Sequence, residues 1–224
     1  MSAVLLINPN TSAATTAMMV AASRALLPPG FTLRGIEARQ GAAMIVDEAA
    51  LALSEPEVVR IGLTEAASVQ AIIVAAFGDP GVASLRASLD IPVIGIGEAA
   101  IREAAGRGRR FGIATTTPGL RDAIIAKVWR LLPEAAFTGM RIPATDPIVL
   151  AADPARQTAE LHRAVSECIA QDGAETVIIG GGPLTGSAVQ LRSEFGDMIV
   201  EPVPAAMRAL VQLSGSLGVL RKGA

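Results

Sequence analysis

The chain has 224 residues, of which 51% are hydrophobic and only 3% aromatic, and a net charge of −2 at pH 7. That is enough apolar material for a sizeable core of Ala, Val, Ile and Leu, and the interspersed charges form neither a basic stripe nor a stacking platform for nucleic acid. One cysteine, Cys168, and one histidine, His162, exclude an intramolecular disulfide framework and leave a cysteine zinc site, a histidine-held metal or a Ser–His triad without support.

The opening "MSAVLLINPN" has no cationic segment and an apolar run too short for a signal peptide. No later run approaches the roughly 18 apolar residues of a membrane span. The expectation is a cytoplasmic protein that binds a small molecule, not nucleic acid or a membrane, needs no metal or cofactor, and self-associates as a homo-oligomer.

Short β-branched runs alternate with helical segments along the chain. Strands are expected over 4–7, 32–36, 71–75, 93–96, 111–114, 138–142, 177–179 and 198–200. Their apolar residues are continuous rather than alternating, the pattern of parallel strands covered on both faces. Helices are expected over 11–27, 48–68, 81–89, 98–106, 118–132, 154–172, 187–194 and 204–217. Start signals precede three of them, at Thr11-Ser12, Thr117-Pro118 and Asp153-Pro154. This alternation predicts an α/β fold with right-handed crossovers.

An internal repeat divides the chain. "LRASLDIPVIGIGEAA" (85–100) and "LRSEFGDMIVEPVPAA" (191–206) share length, opening and ending at an offset of 106 residues, and "AIIVAA" (71–76) matches "TVIIGG" (176–181) at nearly the same offset. The expected architecture is two pseudo-symmetric parallel-sheet α/β half-domains, 1–97 with 204–224 and 98–203, with the site in the cleft between them. Ligands in such sheets bind beyond the carboxyl ends of the strands.

Four strand ends therefore define the candidate site: Asn8, Asn10 and Thr11; Ala76, Phe77, Gly78 and Asp79; Thr115, Thr116 and Thr117; and Gly180, Gly181, Gly182 and Pro183. Each precedes a helix N-terminus, where free N–H groups favour an anion. No Arg or Lys stands at these ends, so a small, weakly charged ligand fits better than a nucleotide. Asp79 is either a general acid or base or the cap of a turn before Pro80. Glu201 is either a proton carrier or a member of an ion pair. Thr115 and Thr116 either bind ligand oxygens or cap the helix after Pro118, and Asn8 either touches ligand or pins its own turn. Phe77 either walls the pocket or packs in the core. Gly180 to Gly182 either admit a ligand to the backbone or pack tightly. "GIGEAA" (95–100) follows the wrong strand for a dinucleotide fingerprint. Cys168, mid-helix, reads as a small core residue, and His162 as a surface one.

"INPNTS", "AFGDPG", "PVIGIGEAA" and "IIGGGPL", in this order over essentially the whole chain, resemble the Asp/Glu racemase superfamily and most closely its hydantoin/allantoin racemase branch. The resemblance implies two α/β halves with the active site between them. It also implies inversion of a carbon next to a carbonyl by two facing cysteines, one removing and one delivering a proton. In this sequence the first cysteine position falls on Ala76 and the second on Gly181. The expectation is thus an isomerase or racemase acting on a small, amino-acid-derived carbonyl compound without two thiols, with Asp79, Thr116 or Glu201 moving the proton. A cysteine-free lyase, decarboxylase or hydrolase, or a non-catalytic binder, is the alternative.

Overall fold

The structure, a computed structural model, describes residues 2–27 and 30–217; residues 1, 28, 29 and 218–224 of the expected half-domain bounds lie outside these. Among the described residues, eight strands form two four-stranded parallel sheets. The first contains β1 (Ser2–Asn8), β2 (Phe31–Glu37), β3 (Ala71–Val74) and β4 (Val93–Gly95) in the order β2-β1-β3-β4. The second contains β5 (Phe111–Ala114), β6 (Phe137–Arg141), β7 (Thr176–Ile179) and β8 (Ile199–Val200) in the order β6-β5-β7-β8. The second order is the first displaced by four strands, which is what the internal repeat implies.

The helices are α1 (Ala13–Ser23), α2 (Glu48–Glu65), α3 (Val82–Ser88), α4 (Ile96–Ala104), α5 (Arg121–Leu131), α6 (Pro147–Ala152), α7 (Pro154–Ala170), α8 (Thr185–Phe195) and α9 (Pro202–Leu217). Ser12 caps α1 through a bond from the Thr15 N–H, and Asp153 caps α7 through the Arg156 N–H. Two expectations change. Helix α5 begins at Arg121 rather than Pro118, because residues 117–121 are spent on a turn in which the Thr117 and Pro118 carbonyls accept from the Leu120 and Arg121 N–H groups. Helix α6 was not expected, although Asp146-Pro147 carries the same start signal as Asp153-Pro154: the Asp146 carboxylate accepts from the Ile148 and Val149 N–H groups. Only about two turns separate the two signals, too short a span for apolar periodicity to show.

Alternation along each strand explains the continuous apolar runs. Val4 and Leu6 of β1, Ile73 of β3, Phe111 and Ile113 of β5 and Ile178 of β7 belong to one central core between the sheets, closed by α4 and α9. Leu5, Ile7, Ile72 and Val74 face outward under α2 and α3. Val177 and Ile179 face outward under α7 and α8. Every strand residue of β3, β5 and β7 is buried, as a sheet covered on both faces requires.

Cys168 is on the face of α7 turned to the sheet, fully buried against Gly112 of β5. Burial pushes its thiol up to about 12, so the reactive thiolate is scarce at neutral pH. We expect iodoacetamide at pH 8 to leave the native protein unmodified over hours and to alkylate Cys168 within minutes in urea. Rapid labelling without denaturant, read by mass spectrometry, would show that α7 is not seated on β5.

Candidate functional site

In a 2-1-3-4 sheet the strand order reverses between the first and third strands, and the crevice at that point is where ligands bind. Here the two crevices, β1/β3 and β5/β7, open onto one cavity of about 50 Å³. The end of β1 contributes Asn10, the end of β3 Ala75 to Gly78, the end of β5 Thr116 and Thr117, and the end of β7 Gly180 to Leu184. Ala76 and Gly181 line the same cavity. The remaining wall is apolar: Met44 and Ile45 from the loop after β2, Leu51 of α2, Leu120, and Ile124 of α5. That loop is strapped across the cleft by a parallel bridge between Asp47 and Gly119.

Several polar groups of the lining residues are donors without a partner. Among the described residues, the backbone N–H groups of Ala76, Phe77, Gly78, Thr116 and Thr117 have no protein acceptor. The Thr116 hydroxyl is buried without a hydrogen-bond partner. Asn10 spends its Oδ1 on the Asn8 side chain and the Ser12 N–H, which leaves its amide Nδ2 uncommitted. Among the described residues, no ionisable side chain lines the cavity. Buried polar groups are normally paired, so a row of unpaired donors around one small space marks a site built for an acceptor.

Asn10, Ala76, Phe77, Gly78, Thr116, Thr117, Gly180, Gly181, Gly182 and Pro183 are thus brought together, and the other expected site residues are used elsewhere. Asn8 is fully buried beneath its own turn, donating to Asn10 Oδ1, Thr16 Oγ1 and the Ser12 carbonyl while accepting from the Asn10 N–H. Thr11 spends its N–H on the Ala42 carbonyl and is absent from the lining. Thr115 donates its hydroxyl to the Gly180 carbonyl at 2.7 Å, tying the ends of β5 and β7.

The two carboxylates expected to move protons are also committed. Glu201 stands at the end of β8 with Arg192 Nε 3.5 Å away; burial pushes its carboxyl up, and the Arg192 and Arg208 guanidiniums oppose that shift. It is absent from the cavity lining. Asp79 has φ 54°, a conformation that Asp tolerates better than most residues. Its Oδ1 accepts from the Gly97 N–H and its Oδ2 from the Glu98 N–H, so it caps α4 across the sheet edge. Its Oδ2 also accepts from Lys127 Nζ at 2.7 Å.

Lys127 is the functional-looking residue that sequence reading passed over. It is one of only two lysines in the chain, the other being Lys222, and it stands on the buried face of α5 between Ile124 and Val128. A lysine at an apolar helical position was the available signal. The "GIGEAA" glycines also find their use here. A Cβ on Gly95 would overlap the Asp79 carboxyl, and one on Gly97 would overlap the Phe77 carbonyl oxygen. The motif lets the 77–79 turn lie flat on the start of α4.

An α/β protein of two facing parallel sheets, with a donor-lined cavity between their carboxyl ends, is the class that fold and site define. The family model described as Asp/Glu/Hydantoin racemase matches residues 4–210, and the chain belongs to that family. It is 29% identical to a hydantoin racemase of Paenarthrobacter aurescens over 213 residues, covering 94% of this chain and 90% of the relative. Among solved structures it resembles an allantoin racemase from Klebsiella pneumoniae (TM-score 0.87, 27% identity, 97% of this chain and 89% of that one). It likewise resembles an allantoin racemase from Pseudomonas fluorescens (TM-score 0.85, 26% identity, 96% and 92%).

Gly97→Ala tests the packing of the 77–79 turn. The added methyl meets backbone rather than a flexible side chain, and overpacking of this kind typically costs about 1–3 kcal/mol. We expect a loss at the upper end of that range in urea denaturation. A change below about 0.5 kcal/mol, the ordinary range for an innocuous surface substitution, would mean that the turn moves freely off α4.

Proposed function

We propose that this chain is an isomerase of racemase type that labilises the hydrogen next to a carbonyl in a small, amino-acid-derived, hydantoin-like compound, without any protein thiol. The observation that carries the reading is the cavity shared by Ala76 and Gly181, lined by residues at the ends of β3 and β5 whose N–H groups are unpaired and by the unpaired Thr116 hydroxyl. Such donors, fixed before the substrate arrives, hold the negative charge that develops on a carbonyl oxygen when the neighbouring C–H is lost. The names of the relatives, hydantoin racemase and allantoin racemase, support the substrate class. On this reading water, standing where the resemblance puts thiols, takes and returns the proton. Asn10 and Thr116 bind the ring's oxygens, and Phe77, Gly78, Gly182 and Pro183 shape its seat. On this reading Asp79 and Glu201 do not transfer the substrate's proton, since neither lines the cavity.

A second reading follows from the same lining. With no ionisable side chain among the described residues of the cavity, loss of CO₂ from a carboxylate one carbon removed from a carbonyl, as in a malonate, would use the donors equally well and would need no base, water then giving a proton to the enolate carbon.

The division into 1–97 with 204–224 and 98–203 remains part of this proposal, supported by the two sheets and by the packing of α9 on β4 and α1. The same holds for cofactor independence and a cytoplasmic location. Self-association is supported by exposed apolar side chains such as Leu53 and Ile148.

The test is proton NMR in D₂O with enantiopure 5-isopropylhydantoin. The wild type is expected to erase the C5–H signal and the optical rotation together, faster than buffer does. Thr116→Val keeps the shape and removes the donor, and should lower the rate by about 10²-fold, the usual effect of deleting one such donor. Intact C5–H alongside CO₂ release from a phenylmalonate would replace the first reading with the second. Binding of both compounds without either reaction would leave a binding protein.

A further inference from the structure

Lys127 belongs to the second sheet's layer, on α5, yet both of its bonds reach the end of β3 in the first. Nζ donates to the Phe77 carbonyl at 2.8 Å and to Asp79 Oδ2 at 2.7 Å, and the side chain is only 7% exposed. The Asp79 it holds is one of only two non-glycine residues with positive φ among those described. A strained residue persists where the surroundings fix it, and such residues cluster at functional sites.

The geometry of the peptide between Phe77 and Gly78 gives this contact a consequence. A trans peptide is planar, with its C=O and N–H on opposite sides. The carbonyl points to Lys127, in a small recess that Lys127 shares with Gly78, Leu120 and Ile124. Gly78 also lines the main cavity, so this peptide is part of the wall between the two spaces. With its oxygen held on the recess side, the N–H of Gly78 is turned the other way. That N–H has no protein acceptor.

We propose that Lys127 is the positioning residue of the cavity: by holding the Phe77 carbonyl and Asp79 across the cleft, it fixes the 77–78 peptide with its N–H presented to the substrate oxygen. The ammonium on the carbonyl end also polarises the peptide, which strengthens the N–H as a donor. Because Lys127 comes from the opposite sheet, the donor is set only when the two halves are docked. The inference rests on the functional reading above for what the N–H binds, but not for how the peptide is held.

Three variants test it: Lys127→Met, Lys127→Arg, and Lys127→Met combined with Asp79→Asn. The double variant removes both charges and keeps a carbonyl oxygen to accept from one α4 N–H, so it remains informative if the single methionine variant does not fold. The ligand-free crystal structure of a folded variant lacking Lys127 is expected to show the 77–78 peptide turned, with the Phe77 oxygen displaced. An unmoved peptide overturns the inference whatever the enzyme turns over. In the D₂O assay with 5-isopropylhydantoin, the same variant should lose about 10²-fold in kcat with KM nearly unchanged. Lys127→Arg, which still donates, should recover a measurable part of that loss. A kcat equal to wild type overturns the inference as well. A wild type that exchanges no C5 hydrogen sinks the functional reading alone, because the orientation of the peptide is read without substrate.

Discussion

Burying Lys127 beside Asp79 takes two charges out of water, at several kcal/mol per ion, and only well-made hydrogen bonds offset that expense. Here they are supplied. The carboxylate accepts from the Gly97 and Glu98 N–H groups and from the ammonium, and the ammonium donates to the carboxylate and to the Phe77 carbonyl. Burial pushes the Asp79 carboxyl up and the Lys127 ammonium down, and the mutual attraction opposes both shifts. A protonated carboxyl would need an acceptor, and all three of its partners are donors, so the geometry favours the ionised pair. The bridge therefore fixes three things together: the start of α4, the turn after β3, and the approach of α5 to that turn.

The pairing also shapes the field inside the cavity. An unpaired carboxylate one residue beyond Gly78 would oppose any negative charge developing on a ligand. Paired with an ammonium and set on the N-terminus of α4, Asp79 is neutralised locally. The cavity then contains oriented N–H dipoles, one hydroxyl and an amide, with apolar walls that keep the local dielectric low. In such surroundings uncharged donors stabilise an oxyanion far better than they would in water. An arrangement of this kind suits chemistry whose demand is to hold charge rather than to supply a strong base.

Much of this architecture was legible in the sequence because it is carried by patterns. Runs such as "AIIV" have no polar alternation, which places them in doubly covered parallel strands, and the 106-residue repeat announces two similar halves. The strand ends of the site followed from topology alone, since a parallel sheet presents one set of ends to one side. What was not legible depends on side-chain direction. Asn8 and Asn10 are two residues apart in one turn, yet one is spent beneath it and the other lines the cavity. Asp79 looks like a site carboxylate in one dimension, and only three dimensions bring Lys127, 48 residues later, onto it. The apolar wall of Met44, Ile45 and Leu51 comes from a loop and a helix face that carry no motif.

The two halves repeat in fold but not in chemistry, and that asymmetry bears on mechanism. Helix α1, the counterpart of α5, contains no charged residue, and the end of β7 from Gly180 to Thr185 contains none either. The ion pair therefore braces one strand end only. The other is built by close packing: Gly181 sits at φ 146°, which L side chains rarely adopt, and a Cβ on Gly182 would fall 2.8 Å from the Ala75 carbonyl oxygen. Ala76 could exchange its methyl for a reactive group with little change of backbone, whereas Gly181 could not without relieving its φ. A two-base inversion asks for equivalent groups on opposite faces of the substrate. A braced donor turn on one side and a glycine-only backbone on the other make the faces inequivalent. On the reading proposed here, the carbonyl oxygen is held against the β3 turn, and water reaches the substrate carbon from both sides, beside Ala76 and beside Gly181.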